Sequence, residues 1–390
     1  MSDPIVIVGA GLAGYNLARE FRKLDAETPL VVVSRDGAGF YSKPMLSNAL
    51  AGKKTAASLV MKPAEKMADE LKAQVLPRVT VQAVDAAART VTLSSGDTLR
   101  YRDLVLALGA DQLRLPLQGD AADTVVSVND LDDFAAFADA LDKGPMGEPV
   151  QRVAILGGGL IGCEFANDLL HREIKATVID IAERALPRLL PPAASARLQK
   201  ALEAGGAAFR FGTSVTNIAR RDGALRLTLS DGSTLDADLV VSAIGLKPRT
   251  ELAAQAGAEL ARGVKVNREL ATSVPHVHAL GDCAEVEGLL LPYVMPLMQQ
   301  ARALAATLAG KPTPVSYPAM PVVVKTPACP TVVCPPAMGA EGEWQVTETD
   351  EALEARFVSA SQPEQMLGFV LQGKATAQRQ AWAAQTPAVL

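Results

Sequence analysis

The sequence predicts an α/β protein with two Rossmann-like domains, each a three-layer ββα unit, followed by a small C-terminal α+β domain. Three observations predict it. A GxGxxG turn, Gly9-Ala10-Gly11-Leu12-Ala13-Gly14, follows a short apolar run near the start of the chain. The same arrangement returns at Gly157-Gly158-Gly159-Leu160-Ile161-Gly162. From Met320 the composition becomes Pro-rich before further segments of alternating polarity.

In chain order, Ile5 to Val8 reads as a strand, and the apolar spacing through Tyr15, Leu17, Ala18 and Phe21 as a helix. Leu30 to Val33 is continuously apolar, as a strand covered on both faces must be. Together they make a βαβ unit. Val153 to Leu156, the second glycine turn and Thr177 to Ile179 repeat it. Val91 to Leu93, followed by Ser94-Ser95-Gly96-Asp97, and Leu225 to Leu229, followed by Asp231-Gly232, read as β-meanders packed on each sheet. Pro296 to Ala309 is helical in pattern. Gln345 to Thr347 and Gly368 to Leu371 read as strands of the third domain, and the Ala- and Gln-rich tail from Ala375 is open between helix and loop.

The bulk composition bounds the function. With 390 residues and 49% hydrophobic content the chain can bury more than one core. Its 38 Lys and Arg against 43 Asp and Glu leave no global basic field for nucleic acid or an anionic membrane. No segment reads as a signal peptide or a membrane span, so a cytoplasmic protein is expected; a monomer is expected over a dimer. The four cysteines, Cys163, Cys283, Cys329 and Cys334, form no CxxC pair, and reduced single thiols are expected. His276 and His278 lack further ligands nearby, so no metal site is expected.

The chemistry sits in the glycine turns and the strand ends. In GxGxxG the glycines permit a tight turn, close approach of backbone to a pyrophosphate, and close packing of helix on strand, while the helix N-terminus faces the phosphates. Asp180 ends the strand after the second turn, where a carboxylate accepts both ribose hydroxyls and repels a 2′-phosphate. It favours NADH over NADPH; nearby Arg184 suggests a rival 2′-phosphate reading, which Asp180 would repel, and its other reading is a solvated charge at a helix end. After the first turn, Asp36 is the best placed carboxylate for the adenosine ribose. The strand ends at Gly109 and Gly245 resemble each other and are placed to let backbone pass beside a cofactor. Asp282, after the run Val277 to Leu280, suits a sugar-like hydroxyl chain.

In this order of motifs, residues 1 to about 316 resemble the FAD-dependent pyridine-nucleotide oxidoreductases with two dinucleotide-binding domains. The resemblance implies FAD, tightly bound without a covalent link, at the first glycine turn, NADH as substrate at the second, and Asp282 at the ribityl chain. It also implies a discontinuous FAD domain of residues 1–115 and 243–316, an NADH domain of 116–242 and a C-terminal domain of 317–390. The expected cofactor-binding set is Gly9, Gly11, Leu12, Ala13, Gly14, Asp36, Lys43, Pro44, Val81, Ala107, Gly109, Gly157, Gly159, Leu160, Ile161, Gly162, Glu164, Asp180, Gly245, Gly281, Asp282, Val294 and Lys325.

The finer signatures around Tyr41 to Ser47, Gly162 to Leu169, Tyr293 to Met298 and Val324 to Pro330 are similar to the branch of that family that reduces rubredoxin. Where many relatives carry Lys after the Pro-x-Leu-Ser element, this chain has Asn48. The redox cysteines of the disulfide-reducing branches are missing at their positions. The path this implies is hydride from NADH to FAD, then single electrons to rubredoxin, a small acidic iron protein. The expected catalytic residues are Glu164, on the first helical turn after the second glycine motif and orienting the nicotinamide, and Lys325 and Lys43, whose charges would meet the reduced flavin. Alternatives are an NADH:ferredoxin reductase serving an oxygenase and a flavin-bound regulatory protein.

Overall fold

The computed structural model describes residues 3–144 and 147–390. Strand β1 (Ile5–Val8), helix α1 (Leu12–Arg22) and strand β2 (Leu30–Val33) form the first βαβ unit. Both strands are buried along their whole length, because helices and a second sheet cover the two faces. Five parallel strands lie side by side in the order Val277–Ala279, Asp103–Leu106, β1, β2, Gln74–Leu76. The strand at one edge thus comes from far downstream in the chain.

The second unit repeats the plan with β3 (Arg152–Leu156), α2 (Leu160–Leu170) and β4 (Lys175–Asp180). Its parallel order is Ala208–Phe211, β4, β3, Leu239–Ser242, Val126–Ser127. The alternation along β3 makes three layers. Val153 and Ile155 pack with Phe165, Ala166 and Leu169 of α2, whereas Ala154 and Leu156 face Ile218, Leu225 and Leu227 of a three-stranded meander. The first unit carries the matching meander over Val81–Asp85, Thr90–Leu93 and Thr98–Arg100.

The chain leaves the first unit through Ala110–Gln112 and returns through Leu246–Pro248, and these two crossings pair as a short antiparallel ladder. Each therefore satisfies the other's backbone groups where the units meet.

The C-terminal unit is a five-stranded antiparallel sheet in the order β5 (Val322–Val324), Thr331–Cys334, Met366–Gly373, Ala352–Ser359, Gly342–Glu348. One face, with Val333, Leu353 and Val370, buries against Leu198 and Leu202 of the second unit's helix Pro192–Ala204. The other, with Val332, Phe369 and Leu371, packs on Trp382. The tail left open by sequence forms a helix over Arg379–Gln385, because Trp382 has the far face of the sheet to cover. No helix among the described residues is long and apolar enough to cross a membrane.

Candidate cofactor cleft

Between the three units runs one continuous cleft of about 1710 Å³. A single small ligand typically occupies roughly 300–1,000 Å³. Both glycine turns open into it, so there is room for two dinucleotides to meet.

The glycines of each turn divide their work. Gly9 has φ +120°, and a Cβ there would meet the carbonyl oxygen of Ala107; Gly157, at φ +107°, would meet that of Ala243 at 2.5 Å. Gly11 and Gly159 have no protein atom within 4 Å of where a Cβ would stand, and both line the cleft. That space suits a pyrophosphate approaching the backbone. Gly14 and Gly162 do not line it: a Cβ at either would collide with the carbonyl oxygen of Gly9 or Gly157, so they keep helix on strand. Gly281 also stands behind the wall, with its N–H on Gln300 Oε1 at 2.6 Å and a Cβ only 2.8 Å from that of Ala13. Gly14, Gly162 and Gly281, expected at a cofactor, thus stand behind the cleft wall and serve its packing.

Leu12, Ala13, Pro44, Val81, Ala107, Gly109, Leu160, Ile161, Gly245 and Val294 do line the cleft. So do the two strand-end carboxylates. Asp180 accepts the Gly158 N–H at 2.5 Å and the Ala182 N–H at 2.8 Å, one on each oxygen. Asp36 Oδ1 takes Ser34 Oγ and the Ala38 N–H, leaving Oδ2 to the cleft. Arg184 stands in an irregular segment rather than at a helix end, its Nε buried without a partner, because no helix follows β4 directly.

Lys43 and Asp282 share the wall. Lys43 Nζ donates to Asn129 Oδ1 at 2.6 Å. Burial lowers the lysine's pKa, and the Asp282 charge opposes this; burial raises that of Asp282, and Lys43 and Arg249 oppose it.

Two expectations about charge change. Glu164 stands on the second turn of α2, since the helix begins at Leu160, and it is 0% exposed. It does not reach the cleft. Ser47 Oγ donates to its carboxylate at 2.5 Å, the Lys325 N–H at 2.9 Å, and Lys325 Nζ completes an ion pair. The negative charge that Lys325 needs is thus supplied by the protein itself. Lys325, at the end of β5, still lines the cleft and connects the C-terminal unit to its wall.

Sequence reasoning missed Ser47, Asn129 and Arg249, all cleft-lining. Arg249 donates to Asp111 Oδ1 at 2.7 Å and to the Leu108 carbonyl at 2.6 Å, clamping the two crossings together. Its place four residues after Gly245 was the available signal. Ser47 was marked only as part of the Pro-x-Leu-Ser element, without a partner, and Asn129 left no signal, because their partners are distant in the chain.

No cysteine lines the cleft among the described residues, and all four are free and buried. Burial pushes each thiol up, Cys283 and Cys334 to about 11. They are therefore protonated and unreactive near neutral pH. His276 and His278 turn to Asp103, at 3.1 and 3.8 Å. No metal-competent cluster occurs among the described residues.

Two glycine turns opening into one cleft are what a flavin- and nicotinamide-dependent reductase requires. The chain belongs to the pyridine nucleotide-disulphide oxidoreductase family, whose model matches residues 3–306, and it is an FAD-dependent oxidoreductase with NADH as substrate. The model of a rubredoxin binding C-terminal domain matches residues 314–386. The chain is 48% identical to the rubredoxin-NAD(+) reductase of Alcanivorax borkumensis over 99% of each chain. With that of Acinetobacter baylyi it shares 47% identity over 97% of this chain and 95% of the relative. The ferredoxin reductase for the CYP199A2 system of Rhodopseudomonas palustris has the same fold, with a TM-score of 0.88 and 26% identity over 99% of this chain and 96% of that one.

Proposed function

We propose that this chain takes hydride from NADH and passes electrons one at a time to rubredoxin. FAD, when bound, accepts an electron pair and releases the electrons singly. The observation that carries the reading is the continuous cleft, which is lined by both glycine turns and by Lys325 of the C-terminal unit.

In this reading Gly11 admits the FAD pyrophosphate, Asp36 its adenosine ribose and Asp282 its ribityl hydroxyls. Gly159 and Asp180 hold NADH. Lys43 and Lys325 would bring positive charge to the cleft wall that holds the flavin, and Glu164, from behind, holds Lys325 in place. The FAD domain comprises residues 1–115 and 243–316, the NADH domain 116–242 and the rubredoxin-facing domain 317–390. A monomer is the proposed working unit. Four unpaired thiols are consistent with work in the reducing cytoplasm.

The ferredoxin-reducing alternative is favoured by the likeness to a ferredoxin reductase, and one experiment separates the two. NADH should bleach the flavin bands anaerobically, and subsequent mixing should oxidise the reduced protein faster with rubredoxin than with a [2Fe-2S] ferredoxin. A faster reaction with ferredoxin would overturn the rubredoxin reading.

A further inference from the structure

Helix α2 carries three polar side chains that stay out of both solvent and cleft: Glu164, Asn167 and Asp168 are 0%, 3% and 1% exposed. Their i, i+3, i+4 spacing places them on one side of the helix. Each spends its acceptor atoms on another part of the chain. Glu164 holds Ser47 and Lys325; Asn167 Oδ1 accepts the Ala328 N–H at 3.1 Å; Asp168 accepts the N–H groups of Leu50 and Ala51, one on each oxygen, both at 2.8 Å.

Asp168 is the unusual member. No Lys or Arg pairs with it among the described residues, and burial pushes its pKa up to about 6 even though two N–H groups stabilise the charged form. Apolar contact already packs Leu46, Ala49 and Leu50 beside Phe165. Such contact is not directional, and the single Ser47–Glu164 bond leaves the segment free to pivot about it. Two N–H donors on one carboxylate remove that freedom, because both bonds keep their geometry at only one position. The donors immediately follow the turn Lys43–Asn48, which contributes Lys43, Pro44, Leu46 and Ser47 to the cleft.

From this we infer that Asp168 is a positioning residue: through Leu50 and Ala51 it sets the turn that carries Lys43, Pro44 and Ser47 along the cleft wall. Asn167, through Ala328, does the same for the stretch that carries Lys325. The inference rests on the reading of this cleft as the FAD site.

The test compares full-length wild type with Asp168→Asn, which keeps the shape but turns one acceptor oxygen into an NH2 group facing an N–H. FAD binding to the apoprotein, titrated by flavin fluorescence, should weaken about tenfold or more. The visible bands of bound FAD should shift, and kcat for NADH-driven rubredoxin reduction should fall. KM for NADH should stay within about twofold, since Asp180 and the second glycine turn are untouched. A lower melting temperature with unchanged FAD affinity, spectrum and kcat would mean a merely structural role and overturn the inference. If Asp168→Asn does not fold, Asn167→Ala tests the opposite wall: it should slow rubredoxin reduction about fivefold or more at unchanged KM for NADH, and an unchanged rate overturns the inference. A wild-type apoprotein that takes up no FAD would instead overturn the reading of the cleft.

Discussion

Each oxygen of the Asp180 carboxylate is engaged by one backbone N–H, which leaves each a further lone pair for a ribose hydroxyl in the cleft. A 2′-phosphate there would meet a fixed negative charge and displace one of those hydroxyl bonds. NADH should therefore exceed NADPH in kcat/KM by at least about tenfold, or about 1.4 kcal/mol. Equal steady-state efficiency with the two nucleotides would remove Asp180 from this role. Asp168 makes a second residue-scale prediction. Its folded pKa of about 6 lies above the unfolded value of 3.8, so the folded state holds the proton more tightly. The resulting stability is fully present below the unfolded pKa and is lost as pH rises through the folded one. Between about pH 4 and pH 6.5 wild type should lose about 2 kcal/mol relative to Asp168→Asn, at up to about 1.4 kcal/mol per pH unit. Denaturant melts of the two across that range check this, and parallel curves would show that Asp168 does not titrate there. A carboxylate kept at such a cost suits a place where geometry matters more than stability.

At the scale of elements, the turn between β1 and α1 shows how one motif holds glycines with separable duties. A side chain at Gly11 meets no protein atom, whereas one at Gly14 runs into the Gly9 carbonyl. Gly11→Val should therefore fold with wild-type circular dichroism and purify colourless, while Gly14→Val should lose the packing of α1 on the sheet and appear mainly insoluble. A Gly11→Val protein with a full complement of FAD would show that the cofactor lies elsewhere. The same scale explains Glu164. Counted from the glycine motif, it falls near the helix start. Counted from Leu160, where helical geometry begins, it is a turn further on, buried under the cleft instead of facing it.

For the whole molecule, the net charge of −5 opposes the approach of an acidic rubredoxin, so steering needs a local basic face. Flavin reduction by NADH in single-turnover mixing should be nearly independent of salt. Electron transfer to rubredoxin should slow as the Debye length falls from about 10 Å at 0.1 M to about 3 Å at 1 M. A flat acceptor rate would mean that docking is not steered by charge. The exposed apolar rim of Val294, Met295 and Val323 would then be the better contact, at 40%, 43% and 55% exposure.

Local pattern alone determined the two βαβ units, because a fully apolar strand, a glycine turn and a helix of period 3.6 are each written within about thirty consecutive residues. Ile5–Val8 and Leu30–Val33 are strands over the residues their composition marks, and Asp180 and Asp282 stand on the cleft their strand ends indicated. Tertiary structure decided what depends on residues far apart in the chain. Glu164, Ser47 and Lys325 are separated by more than a hundred residues and meet only where three units pack, so nothing in the local sequence around any of them names the other two. The tail helix Arg379–Gln385, ambiguous by composition, was settled by the sheet face it covers. Asp168 is a single acidic letter in an apolar helix until Leu50 and Ala51 are folded against it. A carboxylate's role follows from which donors reach it, and the donors are chosen by the packing of the units.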